Sequence, residues 1–200
     1  METKKQTPIE KIESINNQSL VNHVDSGLPR WLIEAAFVSF LLQAAVTYTP
    51  LANRMAVAHL SWVCAIVKTF GALVMYVGLM RGMKSLYRPF TVWWWIVIAL
   101  NLAGFVTDLI PAITYSIGLP IAVSLMLVYI PLGSSIAFNY RGRLHQVGFW
   151  MVLYILISCI IPVVSYLLVG PGSDLANLPM EIATTAVVVV YAWMLRRVLI

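Results

Sequence analysis

The chain has 200 residues, of which 60% are hydrophobic and only 10% charged, far from a soluble domain, where about a quarter of residues carry charge. A mean hydropathy of +0.86, with 7 Trp and 9 Tyr, excludes disorder, collagen, coiled coils and a disulfide-stapled secreted scaffold. Its two cysteines, Cys64 and Cys159, stand in apolar runs without a C-x-x-C spacing, so neither a disulfide framework nor a zinc site is encoded. The expected fold is all-α: a polytopic transmembrane helix bundle.

Residues 1–30 are polar and mixed in charge, too long and too acidic for the n-region of a signal peptide, so the first apolar helix is expected to be retained. Within this tail, Thr7-Pro8-Ile9-Glu10 has capping-box spacing with Pro at the first helical position, and Ile9, Ile12 and Ile15 recur on one side. This predicts a short amphipathic helix on the inner leaflet, either a partner-docking arm or a solvated leader. Six apolar runs follow in residues 31–200, near 31–49, 57–80, 91–110, 112–138, 147–169 and 178–195. At about 1.5 Å per residue each is long enough for a hydrocarbon core of roughly 30 Å.

The basic residues give the orientation. Lys4, Lys5, Lys11 and Arg30 precede the first run; Arg81, Lys84 and Arg88 follow the second, Arg141 and Arg143 the fourth, and Arg196 and Arg197 the last. Arg54 alone falls on the other side. This positive-inside bias predicts cytoplasmic termini in a multi-pass protein of the cytoplasmic (inner) membrane, and makes the formal net charge of +5 a topology signal, not a nucleic-acid footprint. Trp31, Trp93, Trp94, Trp95, Trp150 and Trp193 fall at the predicted inner ends, where indoles favour the headgroup layer; Trp62 lies toward the outside.

Because a charge at mid-bilayer costs about 2.5–3.5 kcal/mol on insertion scales, Lys68, near the centre of the second run, is the most informative residue. At about 100° per residue, Ser61, Cys64, Lys68, Gly71, Met75, Gly78 and Gly82 form one stripe opposite Val63, Phe70, Val74 and Val77. Lys68 is therefore expected in a small-residue helix contact, with Gly71, Gly78 and Gly82 as packing residues within the bundle or in a homo-oligomer. The third run aligns Trp94, Val97, Asn101, Gly104 and Asp108. The first offers Ser39, Gln43 and Thr47, the fifth Tyr154, Ser158 and Ser165, and the sixth Glu181, Thr184 or Thr185, and Tyr191. Hydrocarbon penalises unpaired polar groups, so these stripes should converge on one another or on a water-filled cavity. By depth, Gln43, Lys68, Asn101 and Ser158 fall near the midplane, and His59, Asp108 and Glu181 within about two turns of the outer surface. Lys68 and Asp108 lean toward each other and are expected to pair.

Pro120 and Pro131, eleven residues apart in the fourth run, each free a carbonyl one turn earlier; an interrupted helix there would expose backbone to a solute. Common hydrolase, metalloprotease and nucleotide-binding motifs are absent, so no catalytic set, cofactor or metal is assigned. His59, Asp108 and Glu181 could share an outer metal or proton site, though an interfacial histidine explains His59 as well. Arg141 and Arg143 could hold a lipid phosphate, and ordinary topology anchoring explains them equally well. Three functional readings follow. The first is a membrane protein that binds or permeates a small polar or anionic solute, or protons, through the seam of Lys68, Asp108, Asn101, Gln43, Glu181, His59 and Ser158. In the second, a non-catalytic accessory or immunity-type protein binds another membrane protein or a pore-forming toxin. The third is an intramembrane enzyme using Asp108, Glu181 and His59. A hydrated cavity reaching Lys68 separates the first from the second.

Overall fold

The computed structural model describes residues 19–47, 54–84, 89–109, 111–169 and 174–200. Six helices occur in this part: α1 (Arg30–Thr47), α2 (Arg54–Met83), α3 (Pro89–Leu109), α4 (Pro111–Asn139), α5 (Arg143–Val169) and α6 (Asp174–Leu199). Two-residue strands β1 (Ser19–Leu20) and β2 (Tyr140–Arg141) pair in parallel, Ser19 with Tyr140 and Leu20 with Arg141. The protein is all-α, and its helices follow the order of the six apolar runs. The helix expected around Thr7–Ile15 lies outside the described residues. Prolines open α3 and α4 at Pro89 and Pro111, where a fixed φ and a missing N–H suit the first turn. Pro120 and Pro131 leave α4 continuous, so the interruption considered from sequence is not formed there. Prolines inside a helix are tolerated where neighbouring helices and local adjustment satisfy the freed carbonyls.

Each helix packs on its successor, and α6 returns to α1, closing a ring; α6 also touches α2 across it. Gly71 of α2 abuts Ala36 and Ser39 of α1, and Gly78, one step further on, abuts Leu28 just before α1. Rising numbers on α2 meet falling numbers on α1, so the pair is antiparallel, as short connections require. A Cβ on Gly71 would lie 2.9 Å from the Ala36 carbonyl oxygen and closer still to the Ser39 hydroxyl, which itself donates to that carbonyl at 2.6 Å. Small residues thus set the approach of α1 and α2. The same device joins α4 to α5, where a Cβ on Gly148 would stand 2.6 Å from the Ala137 nitrogen and one on Gly133 would stand 2.9 Å from the Gly148 oxygen.

Among the described side chains, the fully buried core gathers toward the end where α1 and α5 begin and α2, α4 and α6 finish: Ile33, Leu79, Met83, Trp94, Ile136, Leu144 and Leu195 are essentially inaccessible. Residues 19–29 lie over this end as an extended strap. Val21 and Val24 are buried, and Gly82 abuts Val24 and Asp25. The strap also satisfies helix ends. The Leu144 amide donates to the Val21 carbonyl at 3.1 Å and the Arg143 amide to Asn22 Oδ1 at 3.3 Å, both at the start of α5. The Val24 amide donates to the Val198 carbonyl at 2.8 Å at the end of α6. These are the groups a helix terminus leaves without an internal partner. Gly142, with φ +81°, makes the reversal from β2 into α5, and a Cβ there would meet Asn22 and the Val21 carbonyl.

Three consecutive tryptophans cannot all face the headgroups, because about 100° per residue spreads them around the helix. Trp93 and Trp95 point outward, while Trp94 is fully buried, stacks on Tyr76 at 5.8 Å and donates its indole N–H to Met83 Sδ at 3.3 Å. The interfacial placement expected for Trp94 is therefore corrected: its partner is a thioether in the core. Among the described residues, one helical stretch, Val63–Met83, is long and apolar enough to cross a membrane, with a mean hydropathy of 1.9.

Candidate functional site: a tyrosine-walled cavity at Lys68

Four helices each send one tyrosine toward the middle of the ring: Tyr76 from α2, Tyr129 from α4, Tyr154 from α5 and Tyr191 from α6. Tyr129 meets Tyr76 edge to face at 6.1 Å, and Tyr154 lies parallel to Tyr191 at 5.9 Å with 9° between the planes. Tyr129 and Tyr154 are tilted at 6.4 Å, which joins the two pairs. Such offset and edge contacts suit ring quadrupoles and fix the rings without filling the space between them.

A directed chain of hydrogen bonds runs along this wall. The Asn101 side-chain amide donates to the Val97 carbonyl one turn back at 2.8 Å, which orients the amide, and its second N–H donates to the Tyr129 hydroxyl at 3.2 Å. Tyr129, having accepted, donates to the Tyr76 hydroxyl at 2.8 Å. The Tyr191 hydroxyl lies within electrostatic reach of Tyr76, yet it makes no hydrogen bond of acceptable geometry among the described residues and is buried. A buried hydroxyl without a partner is uncommon and marks a place where something else can bind.

Beside this chain is a cavity of about 140 Å³, walled by Tyr76, Tyr129, Tyr154 and Tyr191 with Lys68, Thr69, Asn101 and the apolar Phe40, Ala72, Leu125, Ile155 and Val188. A second, of about 130 Å³, is walled by Gln43, Thr184 and Thr185 with Phe40, Ala44, Lys68, Tyr154 and Val188. Lys68, Phe40, Tyr154 and Val188 border both, so Lys68 stands where the two spaces meet. Space of this size, with polar groups on its walls, is enough for several waters or one compact solute.

The structure brings three of the seven solute-path residues to these walls: Lys68 to both, Asn101 to the first and Gln43 to the second. Ser158 lines neither; its hydroxyl is buried and has no partner among the described residues. The side chains of His59, Asp108 and Glu181 lie outside the described residues, and with them the expected Lys68–Asp108 pair. Gly71, Gly78 and Gly82 all face protein, against α1, the Leu28 and Ser26 side chains, and the strap. Of the candidate phosphate ligands, Arg143 turns its guanidinium to the Arg197 carbonyl at 3.1 Å, where it caps α6. Arg141 pairs through its backbone with β1, its carbonyl accepting from the Val21 amide at 3.0 Å.

Sequence reasoning missed Tyr76 and Tyr129, which sit in apolar runs and read as core aromatics. A signal was present in the placement of Asn101, whose amide at mid-helix depth requires polar partners from other helices. It also missed the clasp that closes the ring: Arg196 of α6 grips Glu34 of α1 with two hydrogen bonds, Nε to Oε2 at 2.6 Å and a terminal nitrogen to Oε1 at 2.7 Å. The Arg196 guanidinium also stands over the Phe37 ring at 5.5 Å, and the Glu34 hydrogen bonds raise its pKa above the ordinary arginine value. Comparison with protein-family models, with curated proteins and with solved structures finds no match to this chain.

Proposed function

We propose that the protein is a multi-pass protein of the cytoplasmic membrane whose six helices all span, with both termini cytoplasmic, and that it binds a small polar solute in the cavity at Lys68. The membrane reading is supported by the outward faces of the ring, where large apolar side chains stand exposed on every helix, among them Leu42, Phe70, Leu102, Leu127, Phe149 and Trp193. A soluble protein exposes apolar groups singly; a ring apolar all round its outside matches lipid. It is also supported by the sequence, in which eleven of the thirteen Lys and Arg residues flank the predicted inner ends of the apolar runs. Reporter fusions after residues 85, 142 and 200 are expected to read cytoplasmic, and those after residues 53, 111 and 174 extracytoplasmic. One inverted pair removes the six-span arrangement.

The observation that carries the solute reading is the pair of cavities meeting at Lys68, with hydroxyl and amide groups in their walls. A protein whose seam served only as structural glue would close such groups on each other. The test is accessibility. In a background with Cys64 and Cys159 replaced by alanine, Thr69→Cys and Val188→Cys are expected to react with a small hydrophilic thiol reagent, and Phe70→Cys, on the outward face, to react far less in lipid. Unreactive thiols at positions 69 and 188 would leave a dry core and favour the accessory or immunity-type role.

A further inference from the structure

The last turn of α6 carries two arginines, and their surroundings differ. Arg196 has a counter-charge, the Glu34 carboxylate at 2.6 Å. Arg197 stands 4.7 Å over the Trp193 ring, with no carboxylate within ion-pair distance among the described residues. Arg143, at the start of α5, likewise lacks one among those residues and gives a single N–H to the Arg197 carbonyl at 3.1 Å. A guanidinium has five N–H donors, so most of both sets stay open. The nearby acids are engaged elsewhere, Glu34 by Arg196 and Asp25 by the Gly27 amide at 3.0 Å. Helical phase brings both cations to one seam. On α5, Gly148 faces α4 against Gly133 and Ala137, and Arg143 and Trp150, seven residues apart, share the opposite flank, toward α6. On α6, Arg196 turns toward α1, while Arg197 and the exposed Trp193, one turn apart, lie outward on the α5 side. Each helix thus sets an arginine at its inner end and an indole about 6–10 Å deeper.

From this we infer that the inner end of the α5–α6 seam binds an anionic membrane lipid, its phosphate between Arg143 and Arg197, its glycerol region beside Trp150 and Trp193, and an acyl chain along the exposed Phe149 and Leu156. The inference rests on the membrane reading and is independent of the cavity. Charge gives the sign: two like charges held at one seam repel each other until an anion joins them, and the planar fork of each guanidinium matches phosphate oxygens two at a time. Depth gives the source. Indoles favour the headgroup layer, and basic pockets between helices on the cytoplasmic side take anionic headgroups. The apolar surface continuing outward from the indoles suits an acyl chain and offers nothing to free phosphate. An arginine that only anchors topology extends into water, whereas Arg143 is fixed by the neighbouring helix and Arg197 folds back over its own Trp193.

The experiment titrates the full-length protein in detergent micelles with dioleoyl phosphatidylglycerol or dioleoyl phosphatidylcholine and counts retained lipid by native mass spectrometry. One arginine beside an anionic headgroup is worth about fivefold in affinity, so the first phosphatidylglycerol is expected to bind about twentyfold more tightly than phosphatidylcholine. Arg143→Gln and Arg197→Gln should each lower that preference about fivefold, and Lys84→Gln, an exposed cation after α2, should leave it unchanged. Arg197→Gln keeps the carbonyl that Arg143 caps, so it serves alone should Arg143→Gln fail to fold. Inorganic phosphate in molar excess, at constant ionic strength, is expected not to displace the lipid. Equal retention of the two lipids by the unaltered protein, or a loss with Lys84→Gln as large as with Arg197→Gln, overturns the site. Displacement by phosphate gives the site to the free anion and overturns the lipid assignment. With reporter fusions reading as expected, each of these failures falls on the lipid site alone; an inverted pair of fusions removes the membrane arrangement on which it rests.

Discussion

Two substitutions that remove the same atom from the same cavity wall should have different effects. Tyr129→Phe and Tyr191→Phe each delete one buried hydroxyl and keep the ring, so the edge contact of Tyr129 with Tyr76 and the stack of Tyr191 on Tyr154 persist in both. The hydroxyls differ in what they hold. That of Tyr129 accepts from Asn101 and donates to Tyr76; its removal takes away two hydrogen bonds, each worth a net of about 0.5–1.5 kcal/mol, and strands an Asn101 N–H in low dielectric. Asn101 retains its bond to Val97 and Tyr76 can turn toward Tyr191, which limits the loss to about 1–2 kcal/mol. The hydroxyl of Tyr191 makes no well-formed hydrogen bond among the described residues, only an electrostatic contact with Tyr76. Removing it relieves a buried unsatisfied group and should leave the empty protein unchanged or stabilise it by up to about 1 kcal/mol. Reversible unfolding in mixed micelles, without added ligand, reads both values against the unaltered protein. If Tyr191→Phe destabilises as much as Tyr129→Phe, its hydroxyl already has a protein partner.

Other consequences follow from contacts away from the cavity. Gly71→Leu should destabilise by about 1–3 kcal/mol or more, because its Cβ alone meets the Ala36 carbonyl and Ser39, whereas Val67→Leu, on the exposed face of α2, should change the same unfolding measurement by less than about 0.5 kcal/mol. Val24→Asp places a carboxylate where Val24 is only 2% exposed; it should release the strap and make residues 19–29 cleavable by a protease added to inside-out vesicles, at a loss of about 2–3 kcal/mol of buried apolar contact. Glu34→Gln should cost no more than about 1 kcal/mol and less in high salt, because the Arg196 and Glu34 side chains remain 29% and 33% exposed. A larger, salt-insensitive loss would show that the clasp is shielded from water.

What was legible in the sequence is what one helix carries by itself. The apolar runs gave six helices to within a few residues at most ends, and helical periodicity put Gly71, Met75, Gly78 and Gly82 on the buried side of α2 with Phe70 outside. Lys68, Asn101 and Gln43, selected as polar residues at a common depth on different helices, do wall a common pair of cavities. Less legible was whatever two helices make together. Tyr76 and Tyr129 lie 53 residues apart, and Glu34 and Arg196 lie 162 apart; in an apolar run a tyrosine counts as a large hydrophobe until the helix that receives its hydroxyl is known. Val74 shows the same limit from the other side. Set opposite the contact stripe by periodicity, it is half-buried against the core, because a helix in a closed ring has neighbours on both flanks, which narrows its exposed face. The strap is the strongest case. Its sequence from Ser19 to Pro29 has no helical or strand period, and its order comes from amide and carbonyl groups that α5 and α6 leave open at their ends. A polar tail reads as solvent-facing only while helix termini are treated as closed; once each terminus is counted as a set of open donors or acceptors, the nearest tethered segment becomes the natural group to fill them.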